Sequence, residues 1–398
     1  MTRTRPHVRL ALAAALSALA SLAALAPPAQ AHEWSEPPLE ESPRARRTPP
    51  NRTPAHIEVA FVLDTTGSMS GLIEGAKRKI WSIANQLASA EQGAEVRFAL
   101  IGYRDRGDAY VTQIHDLTND IDAVYARLMQ FQADGGGDGP ESVNQALHEA
   151  VTRLDWSTSK DTYRVIFLVG DAPPHLDYQD DVRYDRSVRL ARQRDIAVNA
   201  IQCGEWTETA QIWREIASLG MGTYAAIAQD GGMATIATPL DDELAKLNRE
   251  LAGTVLAYGR EDERREADEK VRNALRAEAP AAADRLAYLS KASDGAVVTG
   301  SKDLVAEAAA GASVASVAPE ALPERLREMP AEKRQAYVDG QLAKRKAMQS
   351  RIAEVTAERD AYLAEEEAKA RAAGRDDAFD QKVNDAIKAQ AARKGIAL

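Results

Sequence analysis

Two patterns of apolar and polar positions alternate along the middle of the chain. Short runs of mainly apolar residues are typical of strands buried on both faces, whereas apolar residues at every third or fourth position are typical of amphipathic helices. The predicted strands are 57–63, 96–103, 110–117 at an edge, 163–169, 196–202 and 222–227, and the predicted helices are 72–88, 121–131, 143–154, 182–194, 209–219 and one ending near 252. This order predicts an α/β fold in which a mainly parallel sheet carries helices on both faces.

The pattern changes beyond residue 253, where Ala, Glu, Lys, Arg and Gln dominate and favour helices. Helices are predicted over 261–278, 281–292 and 377–393, and Val297, Val298 and Leu304 are predicted to form a small apolar cluster. A heptad pattern from Val338 to Tyr362 is only about half apolar, which favours a docked amphipathic helix over a strong coiled coil. We therefore expect an α-helical C-terminal region in two parts, an Ala-rich segment over 254–318 and a charged tail over 319–398.

Residues 1–31 have the pattern of a secretory signal peptide. A basic start precedes an apolar run from Leu10 to Ala26, and the small residues Ala29 and Ala31 fit a cleavage site after Ala31. An uncleaved membrane anchor is the alternative, but the small-residue ending favours cleavage. Residues 32–54, rich in Pro and Arg, are typical of a linker. These features predict a bacterial-type exported protein, periplasmic or secreted, with no membrane span in its mature chain.

Negative charge is concentrated in the predicted sheet domain. The chain has a net charge of -10; residues 55–240 hold 26 acidic and 16 basic side chains, and the remainder holds 34 of each. An acidic domain repels nucleic acid and suits cations or basic partners, so a nucleic-acid partner is not expected. The single cysteine, Cys203, excludes a disulfide within the chain and a thiolate zinc cluster.

Oxygen-bearing side chains follow the first predicted strand. Asp64, Thr66 and Ser68 offer a carboxylate and two hydroxyls on one turn, with Gly67 allowing the loop to curve. Hard oxygen ligands of this kind select Mg²⁺, Mn²⁺ or Ca²⁺ over softer metals. A capping turn at the start of the next helix would use the same residue types and is the alternative.

Further carboxylates are expected at the same edge of the sheet. Asp171 follows the predicted strand 163–169, and Asp138 and Glu141 lie in a glycine-rich loop that enters a helix. Because parallel strands end at one edge, these side chains should meet the Asp64 loop in a single crevice. No Gly-Lys-Ser or Gly-Lys-Thr follows the glycines, so a nucleotide site is not indicated.

The first of these loops resembles a known metal site. The sequence Phe61-Val62-Leu63-Asp64-x-Thr66-Gly67-Ser68-Met69 is similar to the first loop of the metal-ion-dependent adhesion site in von Willebrand factor type A (vWA) domains, which have a Rossmann-like fold. The resemblance extends over about residues 56–240. It implies that Asp64, Thr66 and Ser68 bind the ion, with Thr66 in place of the more usual Ser.

The resemblance also implies ligands from two later loops. Asp171 matches the Asp that vWA domains place after their fourth strand. The middle loop of the family usually supplies a Thr, which this chain lacks there. Asp138 is assigned as its replacement, with Glu141 as the second choice.

The implied function is non-catalytic protein binding that depends on a divalent cation, Mg²⁺ first and Ca²⁺ or Mn²⁺ as alternatives. In this family a partner's Asp or Glu completes the coordination of the ion. The predicted organisation is a signal peptide (1–31), a linker (32–54), a vWA domain (55–253), an Ala-rich helical segment (254–318) and a helical tail (319–398).

Two other functions stay open at this point. The C-terminal helices could self-associate, which would make the chain a helical envelope scaffold with the vWA domain as its recognition head. A metal-dependent hydrolase with Asp64 as nucleophile is disfavoured, because such enzymes carry a second carboxylate where Thr66 stands.

Overall fold

Six strands form one sheet in the order β3-β2-β1-β4-β5-β6, in a computed structural model of the chain. They are β1 (His56–Asp64), β2 (Glu95–Tyr103), β3 (Thr112–Thr118), β4 (Thr162–Gly170), β5 (Ile196–Cys203) and β6 (Met221–Ile227). The structure describes residues 56–88, 95–137, 139–232, 235–291, 298–300, 302–373 and 379–396. All strand pairs are parallel except that of β3 with β2, so the predicted α/β fold with a mainly parallel sheet is confirmed.

The position of each strand in the sheet accounts for the pattern of apolar and polar residues in its sequence. β1 and β4 lie side by side in the middle of the sheet and are buried along nearly their whole length, which requires apolar side chains on both faces. β3 lies at the edge and is only partly buried, so its sequence is polar. All six strands fall where the sequence predicts them, within a few residues at their ends.

Twelve helices are present in the described part of the chain. They are α1 (Ser70–Ala88), α2 (Ile121–Gln130), α3 (Val143–Thr152), α4 (Tyr184–Gln193), α5 (Thr207–Leu219), α6 (Asp241–Ala252), α7 (Glu261–Arg276), α8 (Ala279–Lys291), α9 (Leu304–Ala309), α10 (Glu324–Arg327), α11 (Ala331–Ala372) and α12 (Phe379–Ala391). Helices α3, α4 and α5 pack on one face of the sheet, and α1, α2 and α12 pack on the other. Within the described ranges, every helix is too short or too polar to cross a membrane.

The helices after the sheet form a layer against α1 and α2. Helix α8 packs on α1 and α6, and the 42-residue helix α11 packs on α6, α8 and α9. Heptad positions such as Val338, Ile352 and Val355 are buried in these contacts within the chain. Val298 and Leu304 belong to two different apolar clusters, so the single small cluster predicted for them is wrong, and Val297 lies outside the described residues.

The last helix, α12, is part of the sheet domain's core. It lies beside α1 and against β4 and β6, and it buries Phe379, Val383 and Ile387. The ring of Phe379 lies 6.2 Å from that of Phe61 in β1. A buried side chain of the same helix, Gln390, is hydrogen-bonded to side chains of β4 and β5. About 150 residues therefore separate the sheet from a helix that completes its core, since β6 ends at 227 and α12 begins at 379.

Candidate metal centre

The loop after β1 is organised around the carboxylate of Asp64. Its Oδ1 accepts hydrogen bonds from the Thr66 backbone N–H (2.9 Å) and from the Thr66 Oγ1 hydroxyl (2.6 Å). The Ser68 hydroxyl lies 3.4 Å from that of Thr66 and is exposed at the mouth of the loop. Met69 is fully buried and anchors the short 3₁₀ turn that leads into α1. The three predicted oxygen ligands are therefore adjacent.

The second oxygen of Asp64 is buried and unsatisfied. Asp64 has no exposed surface, and its Oδ2 has no hydrogen-bond partner within the described part of the chain. Burial raises the pKa of Asp64 to about 7, although the hydrogen bonds from Thr66 oppose the rise. An ionised carboxylate in this position lacks a compensating positive charge.

The glycine-rich middle loop is hydrogen-bonded to the Asp64 loop. Gly67 N–H donates to the Gly135 carbonyl (3.2 Å), and Asp134 N–H donates to the Thr65 carbonyl (3.2 Å). Gly135 and Gly136 have φ angles of 78° and 81°, which favour glycine. Glycine at these two positions therefore allows the backbone path that brings the middle loop to the Asp64 loop.

Among the described residues of this loop, Glu141 is the one whose carboxylate reaches the crevice. It is 3% exposed, and its Oε2 has no hydrogen-bond partner among the described residues. Burial, followed by the charges of Asp64 and Asp105, raises the pKa of Glu141 to about 9. Asp138 lies outside the described residues, so the assignment of the middle-loop ligand to Asp138 or to Glu141 stays a prediction.

Asp171 follows β4 and faces the same crevice. Its Oδ2 accepts a hydrogen bond from Gln229 Nε2 (2.7 Å), which also donates to the Ser68 carbonyl (3.3 Å). Gly170 lets the two loops approach, because a Cβ there would lie 2.9 Å from the Cβ of Asp64 and 2.4 Å from the hydroxyl of Tyr103. Gln229 thus connects two predicted ligand loops.

Two residues of the site were missed in the sequence analysis. Gln229 follows β6, and no local pattern marks it as a neighbour of Asp171. Tyr103 ends β2 and is fully buried, and its hydroxyl has no hydrogen-bond partner in the residues that the structure describes. Its pKa is raised by burial and by the nearby carboxylates of Asp64 and Glu141. The local sequence around Tyr103 does not indicate that its hydroxyl points into the crevice.

These residues fit a divalent cation. Asp64 Oδ2 and Glu141 Oε2 are buried oxygens without hydrogen-bond partners in the described part of the chain, and the pKa values of both carboxyl groups are raised by burial and by neighbouring carboxylates. Among the described residues, no three carboxylate, imidazole or thiolate side chains are grouped as metal ligands by themselves. An ion here would therefore also need the hydroxyls of Thr66 and Ser68, which hard cations accept.

The chain is similar to known proteins in its sheet domain. The family model described as von Willebrand factor A domain matches residues 58–239. A Mus musculus protein named von Willebrand factor A domain-containing protein 7 is 30% identical over 211 residues, which cover 51% of this chain and 22% of that protein. A Dictyostelium discoideum protein named Alpha-protein kinase vwkA is 27% identical over 120 residues, which cover 30% of this chain and 19% of that protein.

A solved structure of BatB from Bacteroides thetaiotaomicron, described as a conserved hypothetical protein, is 19% identical, with a TM-score of 0.34 over 43% of this chain and 90% of that chain. This chain spans less than a quarter of the length of the curated relatives it matches. The sheet domain has a vWA-like Rossmann fold, and residues 58–239 carry the match to the von Willebrand factor A domain.

Proposed function

We propose that the vWA domain is a protein-recognition module that depends on a bound divalent cation, Mg²⁺ in the first place and Ca²⁺ or Mn²⁺ as alternatives. Asp64, Thr66, Ser68 and Asp171 would hold the ion, together with Asp138 or Glu141 from the middle loop. The observation that supports this most is the Oδ2 atom of Asp64, which is buried at the carboxyl edge of the sheet and has no hydrogen-bond partner among the described residues. Burying such a charge is costly unless a cation compensates it.

A bound ion would supply a positive charge, and a partner's Asp or Glu would complete the coordination of that ion. The residues of this chain would position that contact. Thr66 fixes the orientation of Asp64 through two hydrogen bonds, and Gln229 fixes that of Asp171. The partner's carboxylate would be drawn to the cation although the rim is acidic, because charge-assisted contacts to a metal are strong at short range.

The module is proposed to be non-catalytic and to act outside the cytoplasm. The residue two positions after Asp64 is Thr66, whereas a hydrolase with an aspartyl nucleophile needs a second carboxylate there. The name of the Dictyostelium relative describes a kinase, but its match covers only 30% of this chain. Export is proposed from the signal-peptide pattern of residues 1–31, with cleavage near Ala31.

The test is a calorimetric titration of Mg²⁺, Mn²⁺ and Ca²⁺ into metal-stripped chain 32–398. The whole mature chain is needed because α12 completes the core of the domain. We expect one saturable site in the wild type and none in Asp64→Asn, which keeps the size of the side chain but removes its charge. Asp161→Asn is the matched control, because Asp161 is exposed and precedes β4 at the opposite edge of the sheet.

The outcomes separate the proposal from its alternative. Loss of binding in Asp64→Asn with full binding in Asp161→Asn would support the ion site. A wild type that binds none of the three ions, while still folded by circular dichroism, would overturn it. The Asp64 loop would then be a helix-capping turn.

A further inference from the structure

Helix α4 presents a row of arginines to solvent. Arg183, Arg186, Arg189 and Arg192 recur at every third position and are all exposed. The helix packs against α3, α5 and β5 through its other side, where Val188 and Ala191 are fully buried. Residues three apart are neighbours on a helix surface, so the guanidinium groups form a basic stripe that runs obliquely across the exposed side of the helix.

This stripe contrasts with the rest of the domain. Residues 55–240 hold 16 basic side chains, of which five lie between positions 183 and 194. Arg183 has a carboxylate partner in Asp185 (3.8 Å), and Arg194 donates to the Val151 carbonyl (2.7 Å). In the part of the chain that the structure describes, no carboxylate lies within 4.0 Å of Arg186, Arg189 or Arg192. Among the described residues, these three guanidinium groups of an acidic domain therefore have no carboxylate in ion-pair distance.

A groove lies where the stripe meets α5. Arg189, Arg192, Gln193 and Leu219 line a cavity of about 460 Å³ between the ends of the two helices. Leu219 gives the groove an apolar wall, and the two arginines give it positive charge. Helix α4 ends just before β5 begins, so the groove lies at the amino edge of the sheet. The proposed metal site lies at the other edge, about 25 Å away along the eight-residue strand β5.

We propose that this groove, together with the neighbouring Arg186, binds an acidic segment of a partner polypeptide, with carboxylates on Arg186, Arg189 and Arg192 and an apolar side chain against Leu219. Arginine suits this partner because its planar guanidinium pairs with carboxylates in bidentate geometry. A nucleic acid or an anionic membrane presents negative charge over a wide area, which the domain's 26 acidic side chains would repel. A short acidic peptide places its charge only in the groove.

The experiment measures binding of a fluorescein-labelled ten-residue polyglutamate peptide to the mature chain by fluorescence anisotropy. EDTA is present throughout, so that a metal-bound carboxylate cannot contribute and failure of the proposed ion site leaves the result unaffected. We expect saturable binding that weakens as salt is raised, because these contacts are exposed to screening. The triple variant R186Q/R189Q/R192Q should bind about tenfold more weakly, since three exposed ion pairs are lost.

The matched control is R265Q/R272Q/R276Q on α7, where the three arginines are also exposed. It changes the net charge equally and should weaken binding less than about twofold. Equal losses in the two triple variants would overturn the proposal, because they would indicate attraction to overall charge. Cosedimentation with phosphatidylglycerol vesicles that depends on the α4 arginines, without peptide binding, would overturn it in favour of a membrane.

A second measurement locates the bound peptide and leaves the arginines of α4 unchanged. The single native cysteine, Cys203, is buried, so a Gln193→Cys variant offers one exposed thiol for a fluorescent dye. We expect the dye emission to change as the peptide saturates the groove. A dye attached at Arg272→Cys should not respond. Anisotropy showing binding while neither dye responds would place the peptide elsewhere and overturn the proposal.

Discussion

Asp64 lowers the stability of the metal-free protein, because its charge is buried and no described side chain compensates it. The pKa of Asp64 is about 7 in the folded chain and 3.8 in its ordinary, unfolded environment. The folded state therefore holds this proton more tightly than the unfolded state does. Raising the pH from about 4 to about 7 lowers the free energy of unfolding of the metal-free protein, and above that range Asp64 adds no further change. Glu141, with a pKa of about 9, extends the same trend to higher pH.

Replacing Asp64 by Asn should stabilise the metal-free chain while removing ion binding. At pH 8 the neutral amide avoids the buried charge, and its oxygen can still accept the two hydrogen bonds from Thr66. We expect Asp64→Asn to raise the free energy of unfolding at pH 8 by about 2 kcal/mol in EDTA. At pH 4 the difference should be small, because Asp64 is protonated in the folded wild type. Urea titrations at the two pH values measure both quantities.

Added Mg²⁺ should reverse this order of stability. A ligand that binds only the folded state at one hundred times its dissociation constant adds about 2.7 kcal/mol, which the wild type gains and the Asn variant does not. An Asn variant that is less stable than the wild type in EDTA at pH 8 would contradict the buried-charge account. In that case Asp64 would be satisfied within the protein, as in a simple helix cap.

The elements of the sheet were predictable because each one carries its own local pattern. The apolar runs of β1 and β4 indicate burial on both faces, and the contrast between these strands and the polar β3 indicates an edge. The closeness of the Asp64, Thr66 and Ser68 side chains was predictable for the same reason, since they lie within five residues. Gln229 was not, because it meets Asp171 only through the packing of β6 beside β5.

The place of α12 was not predictable from the sequence. Its apolar residues predict a helix, but their pattern is the same whether the helix covers a sheet, another helix or a second copy of the chain. Phe379, Val383 and Ile387 are instead buried on the sheet of the central domain. The surface that α12 covers is the one that β4, β6 and α1 leave open, and that surface exists only in the assembled domain.

The contribution of α12 to the core can be measured at Phe379. This side chain is 2% exposed and packs in the cluster that contains Phe61 and Phe167. Phe379→Ala should lower the free energy of unfolding by about 3–5 kcal/mol, because a buried ring is lost and a cavity is left. Urea denaturation followed by circular dichroism gives the value.

A control on the same helix separates packing from helix propensity. Lys388 is exposed on α12, so Lys388→Ala should change the free energy of unfolding by less than about 0.5 kcal/mol. If Phe379→Ala were as mild as Lys388→Ala, α12 would not be a fixed part of the core. A fragment of the sheet domain that ends near residue 253 would then be expected to fold without it.

On the scale of the whole molecule, buried arginines hold the C-terminal helices to the sheet domain and to one another. Arg285 of α8 has no exposed surface and pairs with Asp122 of α2 through two hydrogen bonds (2.9 and 3.0 Å). Arg359 of α11 pairs with Asp241 of α6 and Asp284 of α8. These contacts specify one arrangement of the helices, because a misplaced helix would leave a buried charge unpaired.

The Asp122–Arg285 pair should therefore couple the two regions energetically. Arg285→Met leaves the Asp122 carboxylate buried without its partner and should lower the free energy of unfolding by about 3–5 kcal/mol. The double variant Asp122→Ala/Arg285→Met should be much less destabilised than the sum of the two single variants, and a double-mutant cycle in urea gives this coupling. The exposed pair Arg351–Glu243 (2.7 Å) is the control, and its coupling should be below about 1 kcal/mol. Additive effects at Asp122 and Arg285 would mean that this ion pair does not couple α8 to the sheet domain.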